Sequence, residues 1–262
     1  MWLRISCDLA FTIKTPTPFI LMLRPRSGEE QWIEHDEFKL FPNVPIIEFT
    51  DGYGNLCQRL IAPLGDFRIH TTSDVQTSEF VDVDLYAPFV EIQNLPNNVL
   101  CFLSPSRYCE SDRFNDMANT ITSGKLPGYQ QVLAIEDWLR KTISYIPGSS
   151  EYPMSAIEVN KKGSGVCRDL AHLGIALCRS LSIPARMVVG YLHDLKPMDM
   201  HAWFEAYVGG RWYVFDATQT GAKGGYVSVG YGLDASDVAI FTQFGPEIDI
   251  IQQQITVVQI KN

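Results

Sequence analysis

The chain of 262 residues is short of the features that bring a metal, a nucleotide or a nucleic acid to a protein. Its six cysteines, Cys7, Cys57, Cys101, Cys109, Cys167 and Cys178, form no CxxC pair and no cluster at zinc-ligand spacing. There is no Walker or dinucleotide-binding glycine pattern, no calcium-loop motif, no internal repeat and no low-complexity tract. No metal and no cofactor are expected. Positive charge is scarce as well: 21 Lys and Arg stand against 30 Asp and Glu, a net charge of −9. That balance argues against nucleic acid or an anionic membrane surface as partner. No run of ~18 apolar residues suggests a membrane helix. Met1-Trp2-Leu3-Arg4-Ile5-Ser6-Cys7-Asp8 lacks the basic and apolar regions of a signal peptide. The expected location is therefore the cytoplasm, and the expected state of the cysteines is the reduced thiol.

Hydrophobic residues at 46% and charged residues at 19% describe a globular chain, long enough for one large domain or two modest ones. Residues 1–95 read as β, with runs such as Phe19–Leu23, Pro45–Phe49 and Phe80–Leu85 between Pro, Gly, Asn and Asp punctuation. Asp51-Gly52 and Gly54-Asn55 mark hairpin turns, and Thr15-Pro16-Thr17-Pro18 reads as an edge or loop. Asp82 and Asp84 alternate with Val81, Val83 and Leu85, the pattern of a solvated strand face rather than a metal site. Beyond Asn94–Asn98 the texture changes. Ser111-Asp112 caps a predicted helix carrying Phe114, Met117, Ala118 and Ile121; Val132, Ile135, Leu139 and Ile143 predict a second. A boundary near residue 98 separates an N-terminal β-rich domain, 1–98, from a second domain, 99–262, which closes on a predicted strand over 254–260. The fold class is α+β.

The chemistry concentrates in Gly163-Ser164-Gly165-Val166-Cys167-Arg168-Asp169-Leu170-Ala171-His172. Glycines allow a tight approach, and helical spacing then begins at once, with Val166, Leu170, Leu173, Leu177 and Leu181 on one stripe. Pro184 closes the helix. Cys167 thus sits in the first turn, where unpaired N–H groups and the helix dipole favour thiolate. Alone, it could equally be a structural thiol.

Downstream, Met200–Val208 and Arg211–Thr218 are β-rich runs joined by Gly209-Gly210, a hairpin signal. With a two-residue turn Val208 pairs with Arg211, Trp203 lies opposite Asp216 and His201 opposite Thr218. His201 and Asp216 then share a face as diagonal neighbours, ~7–8 Å apart at Cα. A four-residue loop keeps that register, whereas a three- or five-residue loop breaks it. Singly, His201 could be a core histidine and Asp216 a strand-end turn residue. Together the set Cys167, His201 and Asp216 supplies a nucleophile, a base and a group that orients the base. His172 falls about 140° round the helix from Cys167 and reads as structural or cleft-edge. His193 beside Asp194 reads as a loop tip, Arg168 and Asp169 as a local pair or cleft support, and Trp203 as core or a site wall. The Cys167 N–H is the natural first oxyanion donor, with Tyr145 and Trp138 as candidates for the second.

From about Gly163 to Thr218 the chain closely resembles the transglutaminase-like superfamily of cysteine acyl-transfer enzymes. The matching blocks are Gly165–Asp169, Ile183-Pro184-Ala185-Arg186 with Val189-Gly190-Tyr191, His201-Ala202-Trp203 and Trp212–Thr218. Leu23-Arg24-Pro25-Arg26 and Asp51-Gly52-Tyr53-Gly54-Asn55 resemble the β-rich N-terminal region of bacterial members. The resemblance implies an N-terminal antiparallel β domain followed by a papain-like catalytic domain, its cysteine helix packed on an antiparallel sheet. It also implies that Cys167, His201 and Asp216 are the catalytic triad of a cysteine protease or amidase. The expected reaction is hydrolysis of a peptide or isopeptide amide through a thioester, with a peptide or protein as substrate. The alternatives are acyl transfer to an amine and a non-catalytic peptide-binding module on the same scaffold.

Overall fold

Alternating apolar residues make the first third of the chain a run of long strands. The computed structural model describes residues 1–28, 30–150, 152–221 and 223–261. Its strands begin with β1 (Trp2–Ile13), β2 (Thr17–Leu21), β3 (Gln31–Phe41), β4 (Ile47–Thr50), β5 (Leu56–Ala62) and β6 (Gly65–Thr77). An irregular stretch then leads to α1 (Asn115–Ile121), α2 (Tyr129–Thr142), β7 (Ser144–Tyr145), α3 (Ala156–Lys162), β8 (Ser164–Gly165) and α4 (Cys167–Ser180). The remainder is β9 (Ala185–Leu192), β10 (His201–Val208), β11 (Arg211–Phe215), β12 (Tyr226–Gly232), β13 (Phe241–Gln243) and β14 (Asp249–Lys261). Among the described residues no helix is long and apolar enough to cross a membrane.

Two antiparallel sheets, ordered β14-β1-β6-β3 and β13-β2-β5-β4, face each other across Phe11, Phe19, Phe67 and Phe241. Strands β13 and β14 belong to the C-terminal part of the chain, so the sheets do not follow a single cut at residue 98. Pro18 lies in an interior strand rather than at an edge. The ladder tolerates it because β13 pairs only with Phe19–Leu21, one residue past the proline. Residues 80–85 are not a strand: β6 ends at Thr77, and Asp82 and Asp84 lie on an extended loop. There Asp82 pairs with Arg211 at 2.8 Å and Asp84 accepts the Tyr86 N–H. The Asp51–Asn55 hairpin forms as expected, with the Asp51 carboxylate accepting the N–H groups of Tyr53 and Asn55.

The third sheet, β11-β10-β9-β12, is antiparallel and carries α4 on one face. Its edge strand β12 is closed by side-chain amides from the N-terminal sheets. Gln31 bonds both the N–H and the C=O of Ser228 at 2.8 Å, and Asn55 bonds the C=O of Tyr231 at 2.8 Å and its N–H at 3.0 Å. Each amide offers a donor and an acceptor, as a neighbouring strand would, and hides a pairing-competent edge. The stretch over 95–102 covers the outer sheet face, where Leu95 and Val99 pack on Tyr207 and Phe102 sits edge-on to Trp212.

The predicted stripe on α4 forms, but burial goes further: every residue from Asp169 to Arg179 is buried. Small residues on the remaining faces allow this. At Gly174 a Cβ would lie 2.6 Å from the ring of Phe204, itself 1% exposed and stacked on Phe215. That contact sets the distance from the cysteine helix to the histidine strand. Gly174→Val should therefore destabilise the protein by about 1–3 kcal/mol through overpacking. Denaturant unfolding measures it, and an unchanged midpoint would show that the helix stands clear of the sheet.

Candidate active site

Cys167 stands at the start of α4 because the preceding chain is pinned in an extended turn. Gly163 takes φ +70°, closing α3 in the left-handed region. Gly165 lies so close to Asp169 that a Cβ there would come within 2.8 Å of the Asp169 Cβ. Asp169, fully buried, accepts the N–H groups of Val166 at 3.1 Å and Met154 at 3.2 Å, which caps α4 and ties down the loop before it. Arg168 flanks Asp169 at 3.4 Å, as the local pair expected. Tyr145 runs parallel to Gly165 in the two-strand pairing of β7 with β8. Burial first, then the neighbouring Cys167 sulfur, push the Tyr145 phenol up to about 12.

The hairpin supplies the other two residues. Gly209 and Gly210 take φ +61° and +90°, the mirror-image turn that matches strand twist. Val208 pairs with Arg211, and the ladder keeps the expected register to Phe204 and Phe215. There it ends. Asp216 leaves the strand into a turn instead of pairing with Trp203, while His201 pairs with Gly190 on β9. The two side chains still meet: His201 Nε2 lies 2.6 Å from Asp216 Oδ2, with side chains 0% and 4% exposed. Cys167 and Asp216 line one narrow crevice between α4 and the sheet, with Trp203 and Thr218.

Asp216 is saturated with donors. Its Oδ1 accepts the Thr218 N–H at 3.0 Å and the Thr218 hydroxyl at 2.7 Å; its Oδ2 also accepts the Tyr226 hydroxyl at 3.0 Å. Burial alone would raise the Asp216 pKa, but the charge of His201 and these hydrogen bonds hold it below the ordinary carboxylate value. Burial likewise opposes the charged form of His201. The charge and hydrogen bond of Asp216, joined by the Cys167 sulfur, outweigh it and raise the imidazole to about 10. His201 Nδ1 is buried and has no other hydrogen-bond partner, and the Cys167 sulfur is near enough to stabilise the charged ring. Two residues of α2 reach the same turn: Glu136 accepts the Asp216 N–H at 2.8 Å, and Arg140 donates to the Gln219 carbonyl at 3.0 Å. Tyr226, Glu136 and Arg140 carry no functional signal in the sequence, and Thr218 enters there only as the end of the matching block Trp212–Thr218. Only the i, i+4 charge pair on α2 was readable, not what it grips.

The other polar residues lie elsewhere. His172, fully buried, donates from Nδ1 to the Met154 carbonyl at 2.8 Å, accepts the Ala235 N–H at Nε2 and stacks on Tyr108, a structural role. His193 and Asp194 form a turn at 3.7 Å, with Asp194 at φ +61°. Trp138 packs against the hydrophobic core. All six cysteines are unpaired; Cys7, Cys57, Cys109 and Cys178 are buried, Cys167 is half-buried and Cys101 is exposed. No group of three or more His, Cys, Asp or Glu placed to hold a metal occurs among the described residues.

The transglutaminase-like superfamily model matches residues 115–217, a span that contains Cys167, His201 and Asp216. The chain is similar over all of its length to a solved "Putative Cysteine Protease from Cytophaga hutchinsonii", with 36% identity, 91% of that chain covered and a TM-score of 0.92. It is also 28% identical over 230 residues to the "Uncharacterized protein ML0607" of Mycobacterium leprae (strain TN), covering 83% of this chain and 82% of that one. Cysteine at a helix start, histidine on a strand of a four-stranded antiparallel sheet, aspartate in the turn just past the neighbouring strand and near-complete structural overlap lead to one assignment: the chain belongs to the transglutaminase-like superfamily.

Proposed function

We propose that the protein is a cysteine-dependent amide hydrolase acting on a peptide or isopeptide bond, with Cys167, His201 and Asp216 as its triad. The observation that carries this reading is the orientation of His201, with Nε2 committed to Asp216 and Nδ1 left for the thiol. The thiolate of Cys167 attacks the amide carbon, and the carbonyl oxygen becomes an oxyanion. The Cys167 N–H, in the first turn of α4 and without an intrahelical acceptor, donates to that oxyanion. Tyr145, beside the thiol, supplies the second donor. His201 passes its Nδ1 proton to the amide nitrogen, the C–N bond breaks, and the amine leaves a thioester on Cys167. Water then attacks the thioester, Nδ1 takes its proton, and the acid departs as the thiol is restored. Asp216 keeps the ring in the tautomer that presents Nδ1. The unpaired cysteines fit a reducing compartment, and we place the reaction in the cytoplasm.

Iodoacetamide at neutral pH should label Cys167 faster than the exposed Cys101, and His201→Ala should remove that advantage. Buried Cys7 and Cys57, whose thiols burial pushes up to about 12 and about 11, should stay unlabelled. In peptide and glutamine-amide screens Cys167→Ala should abolish turnover, and His201→Ala should lower kcat by about 10²–10⁴-fold. Equal labelling of Cys167 and Cys101 with no turnover would favour a binding module instead. A product carrying an added amine would make the reaction transfer rather than hydrolysis.

The pair should also set a pH dependence of stability. The imidazole goes from 6.5 in the unfolded chain to about 10 in the fold, so between those values only the folded state holds the proton. Its contribution is complete below pH 6.5 and is lost as pH rises through about 10. Asp216, whose pKa is lowered, contributes above its ordinary value of 3.8 and loses that contribution on acidification through its folded pKa. Denaturant unfolding at neutral and alkaline pH should show a decline that His201→Gln flattens. Parallel declines in both proteins would mean that the folded imidazole is neutral.

A further inference from the structure

We infer that α2 belongs to the catalytic apparatus: Glu136 and Arg140 are positioning residues that hold the main chain of Asp216 and so orient His201, a role that rests on the triad reading above.

The need for such a device comes from the end of the hairpin ladder. Phe215 is the last residue of β11 paired with β10, so no strand fixes the Asp216 N–H or its carbonyl. The N–H is taken up by α2 alone, and the carbonyl is shared between α2 and the Gln219 N–H of the turn itself at 3.2 Å. Glu136 Oε1 accepts the Asp216 N–H at 2.8 Å, Arg140 Nη2 donates to the Asp216 carbonyl at 3.3 Å, and Arg140 Nε donates to the Gln219 carbonyl at 3.0 Å. The two side chains are joined to each other at 3.1 Å, and Asp137 holds Arg140 from the far side at 3.0 Å. The turn over 216–219 is thereby gripped at three backbone atoms by one rigid helix, whose Val132, Ile135 and Leu139 are fully buried in the core.

Burial separates this arrangement from an ordinary helix-surface ion pair. The Glu136 side chain is only 13% exposed. Burial raises its pKa first, and Arg140 and the Asp216 N–H work against that rise. A pair wanted only to stabilise a helix does so at the surface, with no desolvation cost. The geometry also gives a lever arm. Thr218, which fixes Asp216 Oδ1 through its N–H and hydroxyl, lies inside the gripped turn. Release of the turn would free the carboxylate and its orienting donors together, and His201 would lose its partner's direction. The charged and titratable groups facing the His201–Asp216 pair are Cys167 from α4, Tyr145 from β7, Tyr226 from β12, and Glu136 and Arg140 from α2; Glu136 also faces Asp137 and Tyr129 of its own helix.

The test uses the full chain and needs no known substrate. It follows the pH dependence of Cys167 alkylation, with Cys101 as internal reference, and the His201 imidazole titration by nitrogen-15 NMR. Glu136→Ala leaves the Asp216 N–H without an acceptor. It should lower the His201 midpoint by about one pH unit or more and slow Cys167 alkylation about 10–100-fold, as loss of an orienting partner does. Glu136→Gln retains an acceptor oxygen and should recover most of the rate. A helix that merely packs would change melting temperature but not the imidazole titration. A wild-type midpoint and rate in a folded Glu136→Ala protein would overturn the inference. If that variant does not fold, Arg140→Lys keeps the charge but loses the grip on two carbonyls, and it must shift the same midpoint or the inference falls. His201→Ala separates the two failures: if it leaves Cys167 alkylation unchanged, the triad reading is what fails.

Discussion

An imidazole and a carboxylate 2.6 Å apart, both shut away from water, are costly to bury and gain from one another only when the geometry is close to ideal. Much of the structure around the α4 helix and its sheet can be understood as the means of holding that geometry. His201 comes from the first residue of a strand that is buried along its whole length. Asp216 comes from a turn with no ladder of its own. Donors from Thr218, Tyr226 and the main-chain contacts of α2 converge on that turn and make its position as definite as that of a strand residue.

The third member reaches the pair through helix packing. Because α4 is buried on every side, its distance from β10 is set by contact with the Phe204 ring at Gly174 rather than by loop length. The N-terminal sheets contribute by stiffening the opposite edge of the same sheet. Gln31 and Asn55 reach across to Ser228 and Tyr231 of β12, the strand that begins with Tyr226, whose hydroxyl meets Asp216. The N-terminal sheets are thus mechanically continuous with the candidate site, while Cys167, His201 and Asp216 all come from later in the chain.

This division explains what could be read in the sequence. Local periodicity carried the helix of Cys167, the Gly209-Gly210 turn and the hairpin register, and these suffice to bring His201 and Asp216 to one end of one sheet. They do not say that the ladder stops at Phe215, because a turn driven by Thr218 and Glu136 depends on residues 2 and 80 positions away. The same limit applies elsewhere. Strand β14 shows its β-branched pattern clearly, yet nothing local reveals that it pairs with β1 at the far end of the chain. Pro18 predicts an edge because the rule considers the missing N–H but not the length of the neighbouring strand. Asp82 and Asp84 alternate as a strand would, and they instead bind Arg211 and a loop amide. Side chains whose partners are distant backbone atoms leave no period to detect.

The saturation of Asp216 has a chemical consequence. With Oδ1 occupied by both donors of Thr218, the carboxylate cannot rotate without losing two hydrogen bonds, so only Oδ2 faces the ring. Tyr226 shares that oxygen as a donor from the far side and lowers its basicity, which keeps the proton on His201 rather than on the carboxylate. The Nε2–H is therefore committed, and the ring can exchange a proton only through Nδ1. In the proposed reaction the same nitrogen must give a proton to the departing amine and take one from water. A fixed carboxylate rotamer is what makes one nitrogen serve both steps, since a ring free to flip would present either nitrogen to the thiol and lose the register between them.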